Sequence, residues 1–164
     1  MPALSAGKTA PDFRLKSRDN KEFSLADALT RGPVLLAFFK VSCPTCQYAF
    51  PFYGRLSRTY QNKNVTMVAI SQNSPEDTAA FAREFGVTFP ILFDDIPYPV
   101  SSAYGLTNVP TLFWINPEGQ IELTSVGWLK PDFEQMNRWM AEAAATASVL
   151  LFQPGEDVRD FRAG

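Results

Sequence analysis

The two cysteines of this 164-residue chain lie three positions apart, in the segment Cys43-Pro44-Thr45-Cys46. This segment follows an apolar run ending at Phe39 and precedes a stretch of helical spacing, so we expect the first thiol at a helix N-terminus. Free backbone N–H groups and the positive end of the helix dipole favour a thiolate there. Because the second thiol lies one helical turn further on, Cys46 can resolve a mixed disulfide at Cys43. The spacing therefore predicts a reversible disulfide with a nucleophile and a resolver.

Other uses of a cysteine pair fit this chain less well. Two cysteines so close in sequence cannot form a disulfide framework or link distant parts of the chain. A four-coordinate zinc site is disfavoured because there is no histidine and no second cysteine pair. The lack of histidine also excludes a Cys–His catalytic pair. We therefore expect neither a metal nor an organic cofactor.

Length and composition set the wider limits. With 46% hydrophobic and 13% aromatic residues, the chain can bury one sizeable core, and we expect one domain over residues 1–164. Its core should span about residues 7–147, followed by a tail over 148–164 that is long enough to fold back over the domain. The net charge of -2 gives no reason to expect nucleic acid or a membrane surface as a partner.

The lengths of the apolar runs and the first residues of the chain indicate the cellular compartment in which we expect the protein. No run approaches the roughly 18 to 20 residues that a membrane helix needs. The first seven residues lack the basic and apolar regions of a secretory signal. We expect a cytoplasmic protein, with a periplasmic or extracytoplasmic location as the alternative if a signal segment has been removed.

Strands and helices should alternate around the cysteines. We expect a hairpin over the turn 17–20, an antiparallel hairpin over the turn 116–119, and the loop end at Asp94-Asp95 as solvated rather than a cation site. Ser74 and Gly86 should begin and end a helix. The other expected strands are 34–39, 65–70 and 89–93, and the other expected helices are 24–29, 44–60 and one from Lys130 whose apolar stripe reaches Ala147.

Three features in this order resemble the thioredoxin superfamily. They are the segment Phe38-Phe39-Lys40-Val41-Ser42 leading into the CxxC motif, Pro51 five residues after Cys46, and Val109-Pro110-Thr111. The resemblance covers about residues 7–145.

Further segments resemble the redoxin branch of that superfamily. They are Ala10-Pro11-Asp12-Phe13, the strand–helix insertion from 65 to 93, and Asn116-Pro117-Glu118-Gly119-Gln120-Ile121. This branch, the AhpC/TSA group, includes TlpA-like thiol–disulfide oxidoreductases and peroxiredoxins.

The resemblance implies an α/β fold in which helices flank a central mixed sheet, with an N-terminal hairpin and a redoxin-type insertion. It implies that Cys43 and Cys46 are catalytic, and that Pro110 is cis beside them. This proline would present the Val109 backbone to an extended substrate strand and keep metals from the dithiol. Pro44 and Thr45, between the cysteines, complete the expected substrate-binding residues and affect the reduction potential.

Several positions depart from the pattern of the family. Ser42 stands where thioredoxins usually have tryptophan. Ala37 and Ala49 replace the acids that thioredoxins and TlpA-like reductases use to move protons. Lys40, three residues before Cys43, is a candidate thiolate stabiliser, although a lysine leaving a buried strand more often extends into solvent.

The resemblance leaves alternatives to thiol–disulfide exchange with protein or small thiol substrates. One is a peroxiredoxin-like peroxidase with Cys43 peroxidatic and Cys46 resolving. Lys40 argues against it, because peroxiredoxins place a Thr or Ser there to orient the peroxide. Another is a redox-sensing binding module without catalysis. A thiol electron donor or acceptor is the implied partner, and we expect a monomer or weak dimer.

Overall fold

A five-stranded mixed sheet forms the centre of the protein, seen in a computed structural model that describes residues 2–60 and 64–164. The strands of the described residues are β1 (Arg14–Lys16), β2 (Glu22–Ser24), β3 (Val34–Phe39), β4 (Thr66–Ser71), β5 (Ile91–Phe93), β6 (Thr111–Ile115), β7 (Ile121–Val126), β8 (Trp128–Leu129) and β9 (Phe161–Arg162). The strand order of the central sheet is β5-β4-β3-β6-β7, and two small antiparallel pairs, β1 with β2 and β8 with β9, accompany it.

Helices cover both faces of this sheet. They are α1 (Leu25–Leu29), α2 (Pro44–Tyr60), α3 (Pro75–Phe85), α4 (Pro99–Ala103) and α5 (Lys130–Ala143). The arrangement confirms the thioredoxin-like fold class, including the hairpin before the sheet and the strand–helix insertion of β4, α3 and β5. Within the described part of the chain, no helix combines the length and apolar character needed to cross a bilayer.

Strand β3 is the central element that carries the cysteine segment. It pairs in parallel with β4 and antiparallel with β6, and all six of its side chains are buried. Leu35, Ala37 and Phe39 pack in the core beneath α2, while Leu36 and Phe38 pack in the core on the opposite face. An apolar run without alternation is what a strand buried on both faces requires. The chain then leaves the sheet directly into the cysteine segment.

The ends of α3 follow the sequence signals. The Ser74 side chain accepts a hydrogen bond from the Asp77 N–H at 3.1 Å, and Pro75 occupies the first turn. Gly86 caps the C-terminus with φ of 68°, in the left-handed region that glycine adopts without a steric cost. Both ends are confirmed.

Some boundaries differ from those expected. Strand β5 begins at Ile91, two residues later than predicted. Helix α5 ends at Ala143, and Ala145 has a left-handed φ of 56°, so Ala147 is exposed and outside the apolar stripe. Helix α4 is not among the expected helices. The solvated loop end expected at Asp94 is wrong, because this carboxylate is fully buried and accepts hydrogen bonds from the backbone of α4.

Candidate functional site

Cys43 lies at the point where the turn after β3 enters α2. The Cys46 N–H donates to Cys43 Sγ at 3.1 Å, and the Gln47 N–H donates to the Cys43 carbonyl at 3.0 Å. The Cys43 sulfur thus accepts a hydrogen bond from the N–H three residues further on, as the Ser74 hydroxyl does at the start of α3. An N–H donor and the positive end of a helix both favour negative charge at such a position.

The turn before Cys43 is fixed by polar side chains from its surroundings. Asn73 Oδ1 accepts a hydrogen bond from the Val41 N–H at 3.0 Å, and Gln47 Nε2 donates to the Val41 carbonyl at 3.0 Å. The Cys43 N–H donates to the Lys40 carbonyl at 3.2 Å. These bonds hold Cys43 at the end of the sheet rather than leaving it on a free loop.

The two cysteines differ in their access to solvent. Cys43 is half-buried, whereas Cys46 is fully buried among the apolar side chains beneath α2. Burial raises the pKa of the Cys46 thiol far above its ordinary value, and its hydrogen bond with the Cys43 side chain raises this pKa further. Cys46 is therefore held as a neutral thiol, while Cys43 is the thiol that a dissolved molecule can reach.

The Val109–Pro110 peptide bond lies on the other side of Cys43 and is cis, as the resemblance implies. The Cys43 thiol donates a hydrogen bond to the Val109 carbonyl at 3.3 Å. Pro110 itself is buried, and β6 begins at the next residue. The Gly127 N–H donates to the Pro110 carbonyl at 2.7 Å, which ties this turn to the end of β7.

An open cleft of about 390 Å³ lies above Cys43. Four of the residues expected at the site line it, whereas Cys46, Thr45 and Pro110 are buried. The lining residues are Lys40, Cys43, Pro44, Gln72, Leu106, Thr107, Asn108, Val109 and Gly164. Lys40 is exposed.

Sequence reasoning missed five of the lining residues, and Gly164 is the one among them that belongs to the tail. The tail returns to the cysteines, and Thr45 Oγ1 donates to the Ala163 carbonyl at 2.6 Å. Since these two residues are 118 positions apart, no local pattern indicates the contact. The only signal was the length of the segment after α5.

Cys46 shares its buried core cluster with Ala37, Ala49 and Tyr53. Ala37 and Ala49 are fully buried there, as is the Tyr53 side chain two helical turns beyond Cys46. Among the described residues, the Tyr53 hydroxyl is a buried polar atom that has no hydrogen-bond partner. Burial raises the pKa of Tyr53 well above its ordinary value.

The described part of the chain contains no group of side chains that could bind a metal ion. No three His, Cys, Asp or Glu side chains of residues 2–60 and 64–164 come together in a way that could hold a metal ion. The carboxylate of Asp94 is already bound by two backbone N–H groups and the Ser101 hydroxyl.

A mixed sheet, a dithiol at a helix N-terminus and a cis proline beside it define a thioredoxin-like dithiol protein. The sequence profile of the AhpC/TSA family matches residues 6–124. A thiol-disulfide oxidoreductase ResA of Geobacillus thermodenitrificans is 34% identical over 135 residues, which cover 81% of this chain and 76% of that protein. The chain therefore belongs to the AhpC/TSA family.

Solved structures agree with this assignment. A putative thiol:disulfide interchange protein DsbE from Chlorobium tepidum is 27% identical, with a TM-score of 0.75, covering 87% of this chain and 99% of that chain. A putative protein disulfide isomerase from Bacteroides thetaiotaomicron shares the fold, with a TM-score of 0.80 and 23% identity over 88% of this chain and 95% of that chain. The protein is a thiol–disulfide oxidoreductase, and thiols and disulfides are its class of substrate.

Proposed function

We propose that Cys43 is the attacking thiol of the exchange reaction and that Cys46 resolves the intermediate. The observation that carries this assignment is the asymmetry between the two sulfurs. Cys43 lines an open cleft and accepts an N–H from the first turn of α2, while Cys46 is buried and protonated. The attacking group in thiol–disulfide exchange must be both ionised and accessible.

The reaction then proceeds in two exchanges. The Cys43 thiolate attacks one sulfur of a substrate disulfide, forming a Cys43–substrate disulfide and releasing the other substrate sulfur as a thiolate that takes up a proton. Cys46 loses its proton and attacks Cys43 Sγ, so that the Cys43–Cys46 disulfide forms and the second substrate thiolate leaves. The substrate is reduced by two electrons and the protein is oxidised by two. A thiol system restores the reduced pair, or the cycle runs in the oxidising direction.

Val109 and Pro110 are the proposed contact for the substrate backbone. The Val109 carbonyl lies 3.3 Å from Cys43 Sγ, so a substrate chain beside Val109 has its disulfide next to the attacking sulfur. Pro44 lines the same cleft from the first turn of α2. Thr45 is buried, with its hydroxyl bonded to Ala163, so its contact with substrate requires the tail to move away.

The compartment and oligomeric state remain parts of the proposal. We keep the cytoplasmic location as the prediction, against a periplasmic or extracytoplasmic one, and cell fractionation with detection of the native protein distinguishes them. We also keep the monomer or weak dimer, which sedimentation equilibrium tests directly.

Trapping the mixed disulfide tests the order of attack. Cys46→Ser should accumulate a substrate adduct on Cys43, because the resolving thiol is absent, and mass spectrometry of tryptic peptides locates it. Cys43→Ser should form no adduct and should lose reduction of both a protein disulfide and a small disulfide. Full activity in Cys43→Ser would contradict the assignment.

The same proteins distinguish the peroxidase alternative when they are given hydrogen peroxide. A peroxidase would turn over peroxide rapidly through a Cys43 sulfenate that Cys46 resolves. We expect slow peroxide turnover and fast disulfide exchange, because the position three residues before Cys43 is the exposed Lys40 rather than a hydroxyl. Rapid peroxide turnover without disulfide exchange would reverse this conclusion.

A further inference from the structure

The tail after α5 is anchored along α2 and β8 until it reaches the cysteines. Arg55 binds both carboxylate oxygens of Glu156 at 2.7 Å, and it also donates to the Leu151 carbonyl at 2.9 Å. Further along, Trp128 Nε1 donates to the Arg159 carbonyl at 2.7 Å. A bidentate ion pair and a buried indole donor are among the stronger polar contacts a surface segment can make.

The last residues of the tail continue from these anchors across the start of α2. Strand β9 pairs antiparallel with β8, and the Arg162 guanidinium lies 5.2 Å from the centre of the Tyr48 ring. The Tyr48 hydroxyl accepts a hydrogen bond from the Arg159 N–H at 3.0 Å. The segment is thus held on the helix that carries both cysteines, within its first two turns.

Residues 163 and 164 then lie against the groups that flank Cys43. Thr45 Oγ1 donates to the Ala163 carbonyl at 2.6 Å, and Asn108 Nδ2 reaches the Gly164 carbonyl at 3.4 Å. The backbone here is very close to the cis-proline turn, because a Cβ built on Gly164 would lie 2.6 Å from the Val109 carbonyl oxygen. Real Cβ atoms essentially never come so close to an oxygen, so a side chain at position 164 must push the segment away from Val109.

Access to Cys43 remains open on the other side. The cleft of about 390 Å³ is bounded by Lys40, Leu106 and Thr107 as well as by Gly164. A small disulfide can reach the sulfur through this cleft without displacing the tail. An extended chain laid along Val109 would occupy the space that Gly164 holds.

We propose that residues 161–164 are a specificity-determining segment that favours small disulfides over extended protein chains at Cys43, because it competes with such chains for Val109. The proposal rests on the proposed function, since it assumes that Val109 is the contact for the substrate backbone. The segment competes for the same surface, and its removal from Val109 opens the site to protein disulfides.

The experiment measures kcat/KM of the full chain toward two substrates, hydroxyethyl disulfide and the insulin disulfide. Gly164→Leu is the main variant, because its side chain cannot fit beside Val109. Arg162→Ser is the second variant, since it removes the cation from the Tyr48 ring. Leu150→Ala is the matched control: this residue is in the same tail and is 80% exposed, so its side chain contributes little to holding residues 161–164. Hydrogen exchange of the peptide containing 161–164 reports whether the segment has moved.

Both variants should speed hydrogen exchange in residues 161–164 and raise kcat/KM for insulin by about fivefold, the equivalent of one net hydrogen bond. Turnover of hydroxyethyl disulfide by Arg162→Ser and all properties of Leu150→Ala should stay as in the wild type. Because Gly164 lines the cleft, the readout for Gly164→Leu is the ratio of insulin turnover to hydroxyethyl disulfide turnover, which should rise. Faster exchange with an unchanged ratio between the substrates overturns the proposal, and so does a segment that neither substitution loosens. A wild-type protein that turns over neither substrate contradicts the proposed function instead.

Discussion

Cys43 and Cys46 are one helical turn apart, yet their surroundings give them different chemical roles. The sulfur of Cys43 is reachable and receives a backbone N–H, whereas that of Cys46 lies in the apolar core, where burial raises its pKa. The difference arises because α2 buries its inner face against the sheet, while its N-terminus lies just beyond the end of the central strand β3. A buried thiol needs a route for its proton, and the alanines at positions 37 and 49 do not supply one.

The charge of Lys40 gives a first prediction for single residues. Lys40→Gln should slow the reaction of Cys43 with iodoacetamide at pH 7 by about two- to fivefold, the effect of losing one exposed charge. The difference from wild type should shrink in high salt, which screens exposed charges. Lys21→Gln, in the exposed turn of the N-terminal hairpin, is the control and should react like the wild type. Equal rates for Lys40→Gln and wild type would show that the charge of Lys40 does not affect the reactivity of Cys43.

Two buried tyrosines of α2 give a second, paired prediction. Tyr60 donates to Asn137 Oδ1 at 2.6 Å and accepts from the Val149 N–H at 2.8 Å, whereas the Tyr53 hydroxyl has no partner among the described residues. Tyr60→Phe should lower the free energy of unfolding by about 0.5–1.5 kcal/mol, since it removes the hydrogen bonds of a buried hydroxyl to two partly exposed partners. Tyr53→Phe should leave it unchanged or raise it by up to about 1 kcal/mol. Urea unfolding measures both, and a larger loss in Tyr53→Phe would show that its hydroxyl is bonded.

At the scale of elements, the site is built where three chain segments meet at one end of the sheet. Strand β3 ends at Phe39, α2 begins at Pro44, and the cis-proline turn leads into β6, which is the antiparallel neighbour of β3. This pairing brings Val109 beside Cys43, although the two are 66 positions apart in sequence. Helix α2 runs through Pro51 as one element of 17 residues, so it carries both the dithiol and the docking surface of the tail.

The cap of α3 provides a prediction at this scale. Ser74→Ala removes the acceptor of the Asp77 N–H and should cost about 1 kcal/mol of unfolding free energy. Ser74→Asp should retain most of the stability, because its carboxylate can accept the same bond and favours the positive end of the helix. Thermal unfolding followed by circular dichroism compares the three proteins. An alanine variant as stable as the wild type would contradict the assigned cap.

At the scale of the whole molecule, the tail runs along α2 from the core beneath this helix to the active site. Leu151 is buried in the core beneath α2, and Glu156 is paired with Arg55 in the middle of that helix. Residues 163 and 164 lie against Thr45 and the cis-proline turn. Any loosening of the tail is therefore expected to change the surroundings of Cys43.

The Arg55–Glu156 pair predicts acid sensitivity of this anchoring. Hydrogen bonds from Arg55, and then from the Gln153 N–H, lower the pKa of Glu156 from 4.5 to about 2. Between these values the unfolded chain binds more protons than the folded one, so the stability given by the pair is complete above about pH 4.5 and is lost as the pH falls toward 2. Urea midpoints of wild type and Glu156→Gln should therefore differ at pH 6 and converge near pH 2. A constant difference over this range would exclude the pair as its source.

The amino-acid sequence by itself determined the dithiol and the alternation of strands and helices, whereas the cis-proline turn was expected only from the resemblance to the thioredoxin superfamily. These features are local: a CxxC spacing, a run of buried residues in β3 and the Ser74 and Gly86 signals of α3 each depend on neighbours along the chain. The short strands β8 and β9 were not predicted, because they pair with each other across more than 30 residues of chain. The burial of Asp94 was missed because its partners, six and seven residues further on, belong to α4, a helix that was not predicted.

The tertiary structure alone decided how open the dithiol is. The CxxC spacing indicated which atoms react, but the exposure of Cys43 and the burial of Cys46 depend on how α2 packs against the sheet. The contact of Ala163 with Thr45 depends on a tail that carries no periodic pattern and crosses the molecule to reach the site. Long-range packing of this kind cannot be read from neighbouring residues, because its energy appears only when both surfaces are folded.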